Sequence, residues 1–426
     1  MPKIYKERIA DQMLAEQLEA LGAVLIEGPK GCGKTTTAEH QAGSVLYMDD
    51  PEQAPQYRQM AQTNIRYLLQ GDIPRLIDEW QSVPQFWDAV RLEVDQRESV
   101  GQFILTGSAV PADASDIHHT GTGRFGWLTM RPMSLWESGD SNGAISLRDL
   151  FHAPEQIGAA NEMSMEQLAF LVCRGGWPKS LFCSSERAAL LQAVEYVEAT
   201  IRSDISRVDG VSRDEDRARR LLRAYARHQG TPASIQTLLN DIAANEPDDI
   251  SSVTVQSYLN ALKKIFVVED LHAWNPNLRS KTAVRTSDTR YFVDSSIACA
   301  ALGIGPKDLI ENLRTFGLFF ETMCVRDLRV YADALDGKLY HFRDKNGLEC
   351  DAVLHLRNGS YGLIEIKMGG ERLIEEGARN LIALGERIDT DRMKAPAFKM
   401  VLTGMGAYAY RRVDGVYVVP VGCLKN

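Results

Sequence analysis

The chain has 426 residues, 44% hydrophobic and 25% charged, a length that calls for two to four domains and a composition ordinary for a globular protein. A net charge of -9 argues against a protein that coats nucleic acid by bulk charge, though not against a local basic site. No apolar run approaches the roughly 20 residues needed to span a bilayer, so no membrane association is expected. The opening "MPKIYKERIADQML" has no signal-peptide pattern, and seven scattered cysteines without a C-x-x-C pair favour reduced thiols in a cytoplasm.

In chain order, Ala23 to Ile26 is a short apolar run that predicts a buried strand, and "EGPKGCGKTTTAEHQ" follows it directly. This is G-x-x-x-x-G-K-T between a strand and a helix. In the loop Gly28, Pro29, Lys30, Gly31, Cys32 and Gly33, the glycines would let backbone N–H groups turn inward around the phosphates of ATP. Lys34 would reach the β- and γ-phosphates, Thr35 would offer its hydroxyl to Mg²⁺, and Thr36 continues the helix whose N-terminus adds positive potential.

Such a loop needs an acid on a neighbouring strand, and "RLIDEW" supplies Asp78 for the Mg²⁺ and Glu79 to polarise the attacking water. "DAVRLEVDQRES" has helical spacing and predicts a crossover helix. The next strand, "GQFILTGSAV", ends in Thr106-Gly107-Ser108, and Ser108 is favoured over Thr106 as a polar sensor of the γ-phosphate. Strand, helix, strand, helix, strand implies a parallel sheet with helices on both faces. His118-His119, among Gly, Asp and Ser, reads as a solvated loop rather than a ligand pair.

Together "EGPKGCGKTT", "LIDEWQSVP", "FILTGSA", "GRFGWLTMRPMSLWE" and "RGGWPKSL" resemble a group of bacterial and archaeal AAA-type ATPases whose C-terminal half is usually catalogued as a domain of unknown function. The resemblance implies a P-loop ATPase, a winged helix and a restriction-endonuclease-like domain. It also implies that Arg124, just before the last strand of the ATPase sheet, reaches a neighbouring subunit's nucleotide, which would require a homo-oligomer. A surface arginine anchoring its own loop is the alternative.

From about 141 to 205 the apolar spacing is helical without strand alternation, which predicts a lid and connector broken at "GGWP". "RARRLLRAYARHQG" turns Leu221, Leu222 and Tyr225 to a core and lines Arg213, Arg217, Arg220, Arg223 and Arg227 along the other side. A helix capped by Ser252 or Thr254 would hold the place of a recognition helix, and Arg279, Lys281, Arg285 and Arg290 would gather on a wing. Residues 200–290 carry 14 Lys/Arg against 12 Asp/Glu, too even a balance to decide between DNA contact and a protein-docking winged helix.

The last third holds an apolar helix around Phe316, Phe319, Phe320, Met323, Val325 and Leu328, three strand-like runs, a helix and two more strands. That is the order of a restriction-endonuclease-like fold. Asp351 opens one strand, and Glu365 and Lys367 lie two apart on the next, so both project from one face. Asp351, Glu365 and Glu321 would coordinate Mg²⁺ and Lys367 would activate water. The expected architecture is an α/β chain with a P-loop AAA-type domain over 1–140, a helical lid over 141–205, a winged helix over 206–290 and a restriction-endonuclease-like domain over 291–426. Its expected function is ATP hydrolysis coupled to a DNA-directed C-terminal half with a nuclease site. The alternative is a nucleotide-switched adaptor whose winged helix and inactive nuclease-like domain bind protein.

Overall fold

The computed structural model describes residues 5–108, 121–245, 250–278 and 284–426. His118, His119, Arg279 and Lys281 lie outside them. The chain forms two compact units, the first made of Met1–Pro132, Thr200–Asp214 and Ser257–Val267 and the second of the rest.

In the first unit, β1 (Ala23–Glu27), β2 (Ser44–Tyr47), β3 (Arg75–Asp78), β4 (Phe103–Gly107) and β5 (Phe125–Thr129) form a sheet in the order β2-β3-β4-β1-β5. Every pairing is parallel. The central strands β1 and β4 open with the apolar runs Ala23-Val24-Leu25-Ile26 and Phe103-Ile104-Leu105 because both faces are covered. One cluster joins Leu25, Ile77 and Leu105 to Trp80, Phe86 and Trp87; the other joins Val24, Ile26, Leu76 and Ile104 to Leu14 and Leu18. The expected parallel α/β layout is thus what forms.

The second unit is built on a seven-stranded mixed sheet. Its strands are β7 (Ala159–Ala160), β8 (Gly337–Arg343), β9 (Glu349–Leu356), β10 (Tyr361–Lys367), β11 (Phe398–Thr403), β12 (Tyr408–Arg411) and β13 (Tyr417–Pro420), in the order β7-β12-β13-β11-β10-β9-β8. β8, β9 and β10 form an antiparallel meander, while β10, β11 and β13 run parallel. The helix Glu371–Arg387 lays Ala378, Leu381 and Leu384 on Val353, Leu363 and Val401. The helix Leu313–Ala334 buries Phe316, Phe319, Phe320, Met323, Val325 and Leu328, as its spacing predicts.

Residues 141–205 do contain strands, contrary to expectation. β7 pairs with β12, and β6 (Ile145–Ser146) pairs with β14 (Leu424–Lys425). Two-residue strands carry no periodicity of their own, so only their distant partners define them. The "GGWP" break is held in the same unit: the Gly176 N–H donates to Asp294, and the Trp177 indole donates to Ser296. Asp294 and Asp327 flank the buried Arg326 at 2.8 and 2.7 Å.

The helix Glu215–His228 is followed by the helices Ile235–Asn245 and Ser252–Lys264, then by bridges joining Thr231 to Arg290, Val268 to Phe292 and Leu271 to Thr289. Leu221, Leu222 and Tyr225 are buried as expected. The cap of the third helix is Ser251, whose Oγ accepts from the Thr254 N–H, and not Ser252 or Thr254. The arginine stripe is largely consumed. Arg213 precedes the helix and is buried against Asp209, while Arg227 pairs with Asp241. Arg290 donates to the Ala233 carbonyl and does not stand on an exposed wing.

Candidate functional site

In the first unit the loop after β1 turns at Gly28 (φ 150°), Gly31 (φ 75°) and Gly33 (φ 105°), where a side chain would be strained. At Gly28 a Cβ would also collide with the carbonyl oxygen of Met130. The ammonium of Lys34, buried behind the loop, donates to the carbonyls of Gly28 at 2.8 Å and Pro29 at 2.9 Å. Lys34, Thr35 and Thr36 open the helix Lys34–Glu39. Cys32 is buried, and its carbonyl accepts from Arg8 at 2.8 Å; Arg8 also donates to the Arg131 carbonyl at 2.9 Å, tying the loop to the end of β5. Lys30 reaches outward to Asp204 at 2.6 Å.

β1 and β3 flank β4, so their ends lie side by side. The Thr35 hydroxyl donates to Asp78 Oδ1 at 2.8 Å, and Thr106 donates to the same oxygen. Burial pushes the Asp78 carboxyl up, while the hydroxyls of Thr106 and Thr35 pull it back. Glu79 adopts a left-handed conformation (φ 54°) and accepts from Gln81 and, at 3.2 Å, from Ser108. Thr106 and Ser108 therefore attend different carboxylates. Arg124 pairs with Asp95 at 2.8 Å, with its side chain 43% exposed. A hydroxyl and a carboxylate within hydrogen-bond distance, beside a loop bent at Gly28, Gly31 and Gly33, suit Mg²⁺ held with phosphate oxygens and water.

Arg8 and Gln81 are further site residues, absent from the expectation drawn from sequence. Arg8 acts across 24 positions on a backbone carbonyl, which leaves no pattern in sequence. Gln81 stands two positions past Glu79, and that proximity was a usable signal.

In the second unit Lys367 lies 2.6 Å from Glu365 Oε2 and 3.2 Å from Asp351 Oδ2. Asp351 Oδ2 also accepts from the Ile366 N–H at 2.8 Å. Glu365 is 1% exposed, so burial, and then the charge of Asp351, pushes its carboxyl well above the usual range. Burial pulls the Lys367 ammonium down, but Asp351 and Glu365 more than offset it, and the group stays charged. Glu321 accepts from the hydroxyl of Tyr291 at 2.5 Å; burial and the neighbouring Asp351 push its carboxyl up to about 8. Tyr291, Glu321, Asp351, Glu349, Arg343 and Arg285 line one cleft of about 170 Å³.

Among the described residues no three Asp, Glu, His or Cys side chains form a ready metal cluster. The Lys367 ammonium stands between two of the expected ligands, and Glu321 is engaged by Tyr291. Glu365 Oε1 is nevertheless buried without a partner, an acceptor that a cation or its water would satisfy.

The fold and loop of the first unit define a P-loop nucleotide-binding domain of AAA type. Residues 21–138 match the AAA domain family, residues 165–308 a domain of unknown function (DUF8612) and residues 316–424 a domain of unknown function (DUF4143). Residues 21–138 thus form an AAA-type P-loop domain, and the two segments matched after it are domains of unknown function. It is 24% identical over 381 residues to uncharacterized protein Rv2008c of Mycobacterium tuberculosis and to uncharacterized protein Mb2031c of Mycobacterium bovis, a span covering 89% of this chain and 78% of each of theirs. Among solved structures, the Walker-type ATPase paby2304 of Pyrococcus abyssi aligns over 70% of this chain and 96% of its own, at 15% identity and a TM-score of 0.42. Among the described residues no helix is long and apolar enough to cross a membrane.

Proposed function

We propose that the protein binds and hydrolyses ATP with Mg²⁺ and couples its nucleotide state to a DNA-directed C-terminal half. The observation that carries the first part is the contact of Thr35 with Asp78 beneath a loop bent at Gly28, Gly31 and Gly33. Lys34 would exchange the carbonyls of Gly28 and Pro29 for phosphate oxygens. Glu79, steered by Gln81 and Ser108, would take a proton from the attacking water. Mg²⁺ would neutralise phosphate charge when held by Thr35 and Asp78. ATP turnover by the purified chain that vanishes in Lys34→Ala tests this; absent or unchanged turnover overturns it.

For the second unit we infer a restriction-endonuclease-like site following a winged helix. Asp351 and Glu365 would hold Mg²⁺, Lys367 would orient water, and Glu321 would act from the preceding helix. The buried, unpartnered Glu365 Oε1 supports this reading. Cleavage of plasmid, linear or single-stranded DNA that needs Mg²⁺ or Mn²⁺ and is lost in Asp351→Ala is the expected result.

One observation favours the adaptor reading: Arg213, Arg227 and Arg290 are bound within the protein and are not free to meet phosphates. If DNA affinity is weak and insensitive to salt and to Arg285→Glu, the winged helix docks protein instead.

A further inference from the structure

β10 and β11 run parallel with Lys367 opposite Thr403 and Glu365 opposite Val401. Since side chains alternate along each strand, Glu365, Lys367, Val401 and Thr403 share one face. Thr403 is 0% exposed, and among the described residues its Oγ1 has no hydrogen-bond partner; neither has Glu365 Oε1 on the neighbouring strand. A buried hydroxyl without a partner is costly, and valine would fill the same volume without that cost. Glycines pack beside both side chains: a Cβ at Gly377 would lie 3.3 Å from the Glu365 Cβ, and one at Gly406 would lie 3.6 Å from Thr403 Oγ1. Lys367 satisfies only the other oxygen of Glu365.

We propose that Thr403 is a fourth residue of the Asp351–Glu365–Lys367 site, whose hydroxyl, together with Glu365 Oε1, holds a water of a hydrated divalent cation. Mg²⁺ and Mn²⁺ held by one or two carboxylates keep several waters, and these need positioned partners. Thr403 is then a positioning residue that acts through water. This rests on the reading of Asp351 and Glu365 as a cation site.

The test is Mn²⁺ titration of the full chain, without nucleotide, followed by electron paramagnetic resonance. The wild type should bind one Mn²⁺ that Glu365→Gln removes. Thr403→Val should weaken that site by about 10-fold or more, in the range of outer-shell substitutions. Thr403→Ser should retain it. In chelator, Thr403→Val should melt no lower than wild type, which separates binding from folding. Wild-type affinity in Thr403→Val overturns the role of Thr403 while sparing the cation site, and equal weakening in Thr403→Ser shows that shape rather than the hydroxyl matters. Absence of any Glu365-dependent Mn²⁺ overturns both readings.

Discussion

The ammonium of Lys367 lies 2.6 Å from Glu365 Oε2, a carboxylate only 1% exposed. Removing the lysine leaves a buried acid with Asp351 as its neighbouring charge. Lys367→Met should cost about 3 kcal/mol at neutral pH, near the lower end for breaking a buried pair. Because the folded Glu365 carboxyl is raised, it can take a proton to relieve the loss, so the defect should grow as pH rises. Melting wild type and variant at pH 5 and pH 8 checks this; an equal defect at both would show that Glu365 is not the group left exposed.

Glu321 offers a second pH readout. Its folded carboxyl is pushed up to about 8, above its ordinary value of 4.5. A raised carboxyl favours folding fully below the unfolded value, and that contribution is lost as pH climbs from about 4.5 to about 8. Glu321→Gln keeps an acceptor for Tyr291 without the charge. Between pH 5 and 9 its melting temperature should fall less than that of the wild type, by on the order of 5 °C.

At the P-loop, binding and turnover should separate. Lys34→Ala should lose nucleotide affinity, read by calorimetry with ATP. Glu79→Gln should keep that affinity and lose about 10²- to 10⁴-fold in turnover, the usual contribution of a general base. Gln81→Ala and Ser108→Ala remove the two groups on Glu79 and should change turnover with little change in affinity. If either weakens binding as strongly as Lys34→Ala, Glu79 is not the group it serves.

Arg326 is 2% exposed and flanked by Asp294 and Asp327. Arg326→Met should destabilise the second unit by about 3–5 kcal/mol, because two buried carboxylates lose their cation. Urea unfolding measures it. The loss should shrink in the triple variant that also carries Asp294→Asn and Asp327→Asn, since the uncompensated charges are then gone.

Part of this architecture was readable residue by residue. The run from Ala23 to Thr36 signals strand, loop and helix within a few residues, so it needed no tertiary information. Glu365 and Lys367 stand two apart, and alternation alone put them on one face. What escaped were partners far along the chain. Tyr291 meets Glu321 across 30 positions, and Ser146 accompanies Lys425 as the chain end pairs back on β6. The arginines around 213–227 looked like a basic surface because their charge is visible in sequence. Asp209 and Asp241, which neutralise Arg213 and Arg227, are assigned to them only by packing.

The sequence by itself determined the G-x-x-x-x-G-K-T loop between strand and helix and the place of Asp78-Glu79 at a strand end, because both rest on local backbone and side-chain periods. Only the tertiary structure decided that Thr106 serves Asp78 while Ser108 serves Glu79, that Lys367 stands between Asp351 and Glu365, and that Thr403 lies unpartnered beside them. Strand register and burial set those contacts, and both come from long-range pairing that no local pattern encodes.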